Sequence, residues 1–175
     1  MSIVSIFVTV GTTEFDELIE SIDNKAFIES IASLNCRRLN IQIGRGTYLP
    51  KHIEDECAKR NIMYSCFRFK PTLDEDMKSA DLIISHCGAG SILECLTLKK
   101  LFIVVVNETL QGNHQTELAE VLAEGKHCIS TIPRDLREIL CTDLSRRLNE
   151  LLPYPTPNPE LFPDVVDSLF DWESP

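Results

Sequence analysis

Short apolar runs of strand type alternate with amphipathic segments of helix type along most of the chain, and this alternation limits the folds open to it. "SIVSIFVTV" precedes Phe15, Leu18, Ile19 and Ile22, then Phe27, Ile28, Ile31 and Leu34, all at helical spacing. "RLNIQIG" precedes "PKHIEDECAKRN", "IMYSCFRF" precedes "TLDEDMKSA", and "DLIIS" precedes "SILECLTLKK". "LFIVVV" leads to "NHQTELAEVLAEGK", and "HCISTI" to "PRDLREILCTDLSRRLNELL". Several of the strands are apolar without interruption, as in a parallel sheet covered on both faces. Six such units predict a single α/β, doubly wound domain over residues 1–152.

Residues 153–175 differ in character. "PYPTPNPELFP" carries five of the nine prolines and forms no regular element, because proline fixes φ and lacks an N–H. The segment "DVVDSLFDW" then groups Val165, Val166, Leu169, Phe170 and Trp172 in a stretch too short to be helical alone. It needs a surface to dock on, either its own domain or another chain.

Composition narrows the partners. A formal net charge of −10 argues against nucleic acid and against a direct grip on anionic lipid, since both call for basic patches. No apolar run approaches the roughly 20 residues of a membrane span. The apolar N-terminus has no basic leader and soon meets Gly11 and Glu14, so it reads as a first core strand rather than a signal peptide. A cytosolic chain is expected. Its seven cysteines are odd in number and form no CxxC pair, as for reduced structural thiols, with Cys66, Cys87 and Cys95 acting as small hydrophobes in or beside apolar runs. With no DxD dyad expected and no HExxH motif, no metal is expected.

In doubly wound sheets, ligands bind beyond the carboxyl ends of the strands, where the strand order reverses. Four of the six strand exits carry glycine: "VGTTEFD", "IGRGT", "SHCGAGSILE" and "NETLQGNHQTE". Glycine lets backbone N–H groups come close to a ligand, and a following helix N-terminus favours an anion. Local structure also accounts for some of these residues: Ser91 to Glu94 has the spacing of a capping box, and Thr13 to Asp16 resembles the same device. The dinucleotide fingerprint is incomplete, with Leu93 in place of the third glycine, and no Walker motif is present. NAD and ATP are therefore disfavoured, while another diphosphate remains open.

The order of "SHCGAGSILE", an apolar strand and "QGNHQTELA" resembles the donor-binding half of GT-B glycosyltransferases. With "FVTVGTTEFDELI" near the start, it resembles more closely the catalytic, donor-binding subunits of the eukaryotic UDP-N-acetylglucosamine transferases of N-linked glycan assembly, in glycosyltransferase family 28. The likeness covers roughly residues 1–150. It implies a Rossmann-like domain equivalent to the C-terminal half of a GT-B enzyme. The implied reaction moves N-acetylglucosamine from its UDP donor onto N-acetylglucosaminyl-diphosphodolichol, with inversion and without a metal or other cofactor.

The same resemblance assigns residues. Gly88, Ala89, Gly90 and Ser91 would receive the diphosphate, and Glu94, one turn on, the ribose hydroxyls. Phe69 and Lys70 would lie by the uracil, with Asn113, His114 and Gln115 at the sugar and phosphate. Gly11, Thr12 and Thr13 would line the opposite phosphate wall, and Arg45 the rim; His86 would face donor or acceptor. No residue stands out as general base, His86 and His114 being the histidines beside the site.

A GT-B enzyme has two doubly wound domains and this chain has elements for one. The resemblance therefore implies a heterodimer with a membrane-anchored, acceptor-binding subunit on the cytosolic face of the endoplasmic reticulum, docked through the segment from Val165 to Trp172. Two alternatives stay open: a subunit using another nucleotide sugar in polysaccharide synthesis, and a non-catalytic nucleotide-sugar-binding protein.

Overall fold

The computed structural model describes residues 2–109, 114–142 and 144–155, with His114 and Gln115 described by their backbone. The proline-rich stretch beyond 155 and the expected docking residues Val165 to Trp172 lie outside the described residues, as does Asn113.

The strands are β1 (Ser5–Thr9), β2 (Arg38–Gln42), β3 (Met63–Phe67), β4 (Leu82–His86), β5 (Leu101–Val105) and β6 (Ile129–Thr131). All pair in parallel, in the order β3-β2-β1-β4-β5-β6. Val8 sits level with Ile41 of β2 on one side and Ile84 of β4 on the other. The order reverses between β1 and β4, which brings the exits at Gly11 and Gly88 side by side.

Alternate residues of each strand feed two cores, as the two-residue period of a strand requires. On one face Val8, Ile41, Ile84 and Ile103 pack with α1 (Asp16–Ile22), α2 (Lys25–Ser33), α3 (Ile53–Ala58), α7 (Leu136–Cys141) and α8 (Leu144–Asn149). On the other, Phe7, Ile83, Phe102 and Val104 pack with α4 (Asp74–Ser79), α5 (Ala89–Thr97) and α6 (His114–Glu124). Burying each of these large side chains contributes about 1.5–3 kcal/mol.

The doubly wound α/β class is as expected, and three local expectations are corrected. The final helical run is broken: a 3-10 turn at Pro133–Asp135 precedes α7, which ends where Thr142 turns to φ −105°, ψ 97°. The spacer between β1 and β2 is two helices, split at Asp23, whose buried carboxylate accepts from the N–H groups of Lys51 (2.7 Å), His52 (2.9 Å) and Ile53 (2.8 Å) and from the Tyr48 hydroxyl (2.7 Å). Asp23 thus caps α3 across 30 residues of chain, in place of a local cap. Cys66 is exposed, because β3 is an edge strand whose side chains are incompletely covered. None of the seven cysteines forms a disulfide, and burial pushes the thiols of Cys57, Cys95 and Cys128 up to about 12.

The last described residues, up to 155, lie at the end of the sheet opposite the glycine exits. The Leu152 N–H donates to the Lys126 carbonyl (2.7 Å) just before β6, and the Tyr154 ring meets His127 edge-on at 4.9 Å.

Candidate functional site

A cleft of about 530 Å³ opens beyond the carboxyl ends of β1 to β4, at the reversal of strand order. Its walls bring together Gly11, Thr12, Phe69, Lys70, His86, Gly88, Gly90, Ser91 and Glu94, nine of the residues singled out from the sequence. Thr13 is turned away, its hydroxyl donating to the Val10 carbonyl at 2.8 Å. Ala89 and Arg45 are exposed but do not line the cleft. His114 and Gln115 open α6. A second cavity of about 490 Å³ lies over β6, where Glu108, Glu120, Asp135 and Glu138 outnumber the one lining cation, Arg147, and make it unfavourable for an anion.

The two glycine exits meet at a histidine. Gly11 has φ +61°, and a Cβ there would lie 2.6 Å from His86 Cε1; a Cβ on Gly88 would strike His86 Nε2. The imidazole is 7% exposed, its Nδ1 has no hydrogen-bond partner among the described residues, and burial holds its pKa below the usual value. At neutral pH the ring is therefore uncharged, with one donor and one acceptor nitrogen at the cleft wall. Gly90 differs, since a Cβ added to it would meet nothing within 4 Å. The fold does not require glycine at that position, which is one of the residues lining the cleft.

Neither expected capping box forms. Helix α5 begins at Ala89 with Gly88 as its N-cap, so Ser91 lies inside the first turn and Glu94 does not reach back. The first helical hydrogen bond runs from the Ile92 N–H to the Gly88 carbonyl at 3.0 Å. The N–H groups of Ala89, Gly90 and Ser91 are left without partners among the described residues, at the positive end of the helix dipole. The Ser91 hydroxyl and the Glu94 carboxylate also make no hydrogen bond there and face the cleft. Burial and then Asp74 raise the Glu94 pKa, with Lys78 opposing. At the first helix Phe15 is the N-cap, and Asp16 bonds instead to the Thr47 N–H (3.0 Å) and hydroxyl (2.6 Å).

The far wall is anchored at two points. The Arg68 guanidinium donates to the Gly46 carbonyl at 2.6 Å and the Gly44 carbonyl at 3.2 Å. Two residues on, the Lys70 ammonium donates to both oxygens of buried Asp76 (2.8 and 2.7 Å) and lies 4.0 Å over the Phe67 ring. Between these anchors Phe69 is 51% exposed at the cleft mouth. Asp74 and Asp76 do have the DxD spacing, which corrects the expectation that the sequence offers no such dyad. Asp76 points inward onto Lys70 and the Asn40 amide (3.1 Å), so the two carboxylates do not act as a pair.

Gln42 is a cleft residue that the sequence reading missed. It is 3% exposed, lies in the floor at the end of β2, and accepts from the Thr9 hydroxyl at 2.5 Å. Its only signal in the sequence is an amide between two isoleucines, just before Gly44.

Residues 5–156 match the family model of the glycosyltransferase family 28 C-terminal domain. The chain belongs to this family. Over 122 residues it is 46% identical to the human UDP-N-acetylglucosamine transferase subunit ALG13, a match covering 70% of this chain and 10% of that protein. The subunit of the same name from Yarrowia lipolytica is 36% identical over 69% of this chain and 61% of its own length. The chain thus spans only part of these relatives. The NMR structure of ALG13 superposes with a TM-score of 0.64 at 25% identity, covering 94% of this chain and 95% of that one. Acinetobacter baumannii MurG shares the fold, with a TM-score of 0.61 at 20% identity over 83% of this chain and 41% of its own. The family 28 cleft is therefore built on the C-terminal, Rossmann-like half of the GT-B architecture, and among the described residues no helix is long and apolar enough to cross a membrane.

Proposed function

We propose that this family 28 domain is the donor-binding, catalytic subunit of a heterodimeric glycosyltransferase. It moves N-acetylglucosamine from UDP-N-acetylglucosamine onto N-acetylglucosaminyl-diphosphodolichol, with inversion. The observation that carries this reading is the set of groups at the start of α5 without partners among the described residues: three backbone N–H groups, the Ser91 hydroxyl and, one turn on, the Glu94 carboxylate, all at the strand-order reversal. The names of the relatives at 46% and 36% identity point to the same donor.

The roles follow from chemistry. As the bond from C1 to the departing phosphate oxygen breaks, negative charge grows on UDP. The N–H groups of Ala89, Gly90 and Ser91, already oriented by the helix, stabilise that charge without reorganising. Glu94 accepts from the ribose diol, for which a carboxylate has two suitable oxygens. Gly11 and Thr12 close the phosphate side and Phe69 and Lys70 border the base, while contact with the sugar is assigned to Asn113, His114 and Gln115 by the family resemblance alone. The neutral His86 ring meets the donor between the two glycine turns. Inversion requires a base to take the proton of the acceptor hydroxyl. The partner brings the acceptor and holds the complex at the cytosolic face of the endoplasmic reticulum.

The segment from Val165 to Trp172 docks on that partner. The test is transfer of labelled N-acetylglucosamine by the full chain, alone and with membranes carrying an acceptor-binding subunit. Activity only with the membranes, lost in Glu94→Ala, is the expected result. Full activity of the chain alone overturns the heterodimer, and unchanged activity of Glu94→Ala overturns the donor site.

A further inference from the structure

We infer that Gln42 is a donor-recognition residue, whose side-chain N–H group donates to an oxygen of the bound nucleotide. This rests on the donor-binding reading of the cleft.

The inference starts from a hydrogen-bond chain that fixes which way the amide points. The Gly11 N–H donates to the Thr9 hydroxyl oxygen at 2.9 Å, so the hydroxyl proton is directed elsewhere. It goes to Gln42 Oε1, 2.5 Å away. With its oxygen engaged by a donor, the carboxamide has to turn its NH₂ to the other side. Gln42 lines the cleft floor, and its amide nitrogen makes no hydrogen bond with any described residue. Gln42 and Thr9 are both almost fully buried, at 3% and 0% exposed.

The amide nitrogen is not shut away from the cleft, and an acceptor on a ligand bound there can take its hydrogen bond in place of water. The position defines the ligand atom by chemistry. β2 stands between β3, which leads to Phe69 and Lys70, and β1, which leads to Gly11 and Thr12. The donor therefore meets an oxygen on the nucleotide, in a base carbonyl, the ribose or a phosphate. Because the chain begins at the Gly11 amide, it also ties the floor to the turn that packs against His86.

The test is calorimetric binding of uridine, UMP and UDP to the full-length chain, its Gln42→Met variant and its Gln42→Glu variant, with unfolding midpoints measured without ligand. Methionine keeps the volume and removes the donor, whereas glutamate keeps the Thr9 contact and turns an acceptor to the cleft. The expected result is a loss of about tenfold in UDP affinity for Gln42→Met, and more for Gln42→Glu. Equal losses for all three ligands place the acceptor on base or ribose; losses confined to UMP and UDP place it on a phosphate. UDP affinity within twofold of wild type in a folded variant overturns the inference and leaves the donor site standing. No UDP binding by the wild-type chain overturns both. In the unmodified chain, the Gln42 side-chain amide resonances are expected to shift on UDP addition, and unmoved resonances overturn the inference even if both variants fail to fold.

Discussion

A Cβ on Gly11 would lie 2.6 Å from Cε1 of His86, so the first glycine turn is shaped by the histidine ring beside it. Gly11 also sits at φ +61°, where a side chain is strained. Gly11→Ala is therefore expected to cost about 1–3 kcal/mol, from backbone strain and displacement of the imidazole. Urea unfolding measures this, and a change below 0.5 kcal/mol (roughly the scatter of neutral surface substitutions) would show the ring to be freely displaced.

Gly90 gives the opposite expectation. Space is open around it and it lies in the first turn of α5, so Gly90→Ala should keep or raise stability, by up to about 1 kcal/mol. The same methyl group occupies the approach to the α5 N–H groups, and UDP affinity should drop at least tenfold. Calorimetry beside a urea titration separates the two effects; a stable variant with wild-type affinity removes the α5 N-terminus from the site.

Asp23 links stability to pH. Although burial alone would raise its pKa, the Lys51, His52 and Ile53 N–H groups and the Tyr48 hydroxyl together hold it below the ordinary 3.8. The unfolded chain therefore binds more protons than the folded one between the folded pKa and 3.8. The contribution of Asp23 is complete above 3.8 and fades as pH falls through the lower, folded value. Asp23→Asn, which turns an NH₂ toward donors, should cost about 2–3 kcal/mol at pH 7. The gap between wild type and variant should narrow below pH 4, roughly at the unfolded pKa. Urea midpoints across that range check this, and a constant gap would refute it.

Lys70 and Asp76 form a coupled pair. Removing the ammonium in Lys70→Met leaves the buried carboxylate with the Asn40 amide as its remaining partner. The single change should destabilise the domain by about 1–3 kcal/mol, and adding Asp76→Asn should recover part of that loss. A double-mutant cycle by urea unfolding reads the coupling. Strict additivity would mean that the Lys70 charge is not engaged by Asp76 and is available to a phosphate.

The alternation of apolar strands with amphipathic helices was legible because period-2 and period-3.6 patterns are local properties. Glycine at the strand exits was equally legible, and with the parallel order it placed Gly11, Phe69, Gly88 and Glu94 around one cleft. Spacing misled where two local devices share a pattern: Ser91 and Glu94 have the separation of a capping box, yet α5 starts two residues before Ser91, which leaves both side chains to the cleft. The exposure of Cys66 followed from β3 being an edge strand, which no residue of β3 announces. Asp23 reaches α3, His86 fills the space beside Gly11 and Gly88, and Thr9 orients Gln42 across 33 residues of chain. The sequence by itself determined the elements and the end of the sheet where the cleft opens. Only the tertiary structure decided which polar groups are satisfied and which remain free, because hydrogen-bond partners are chosen by distance in space.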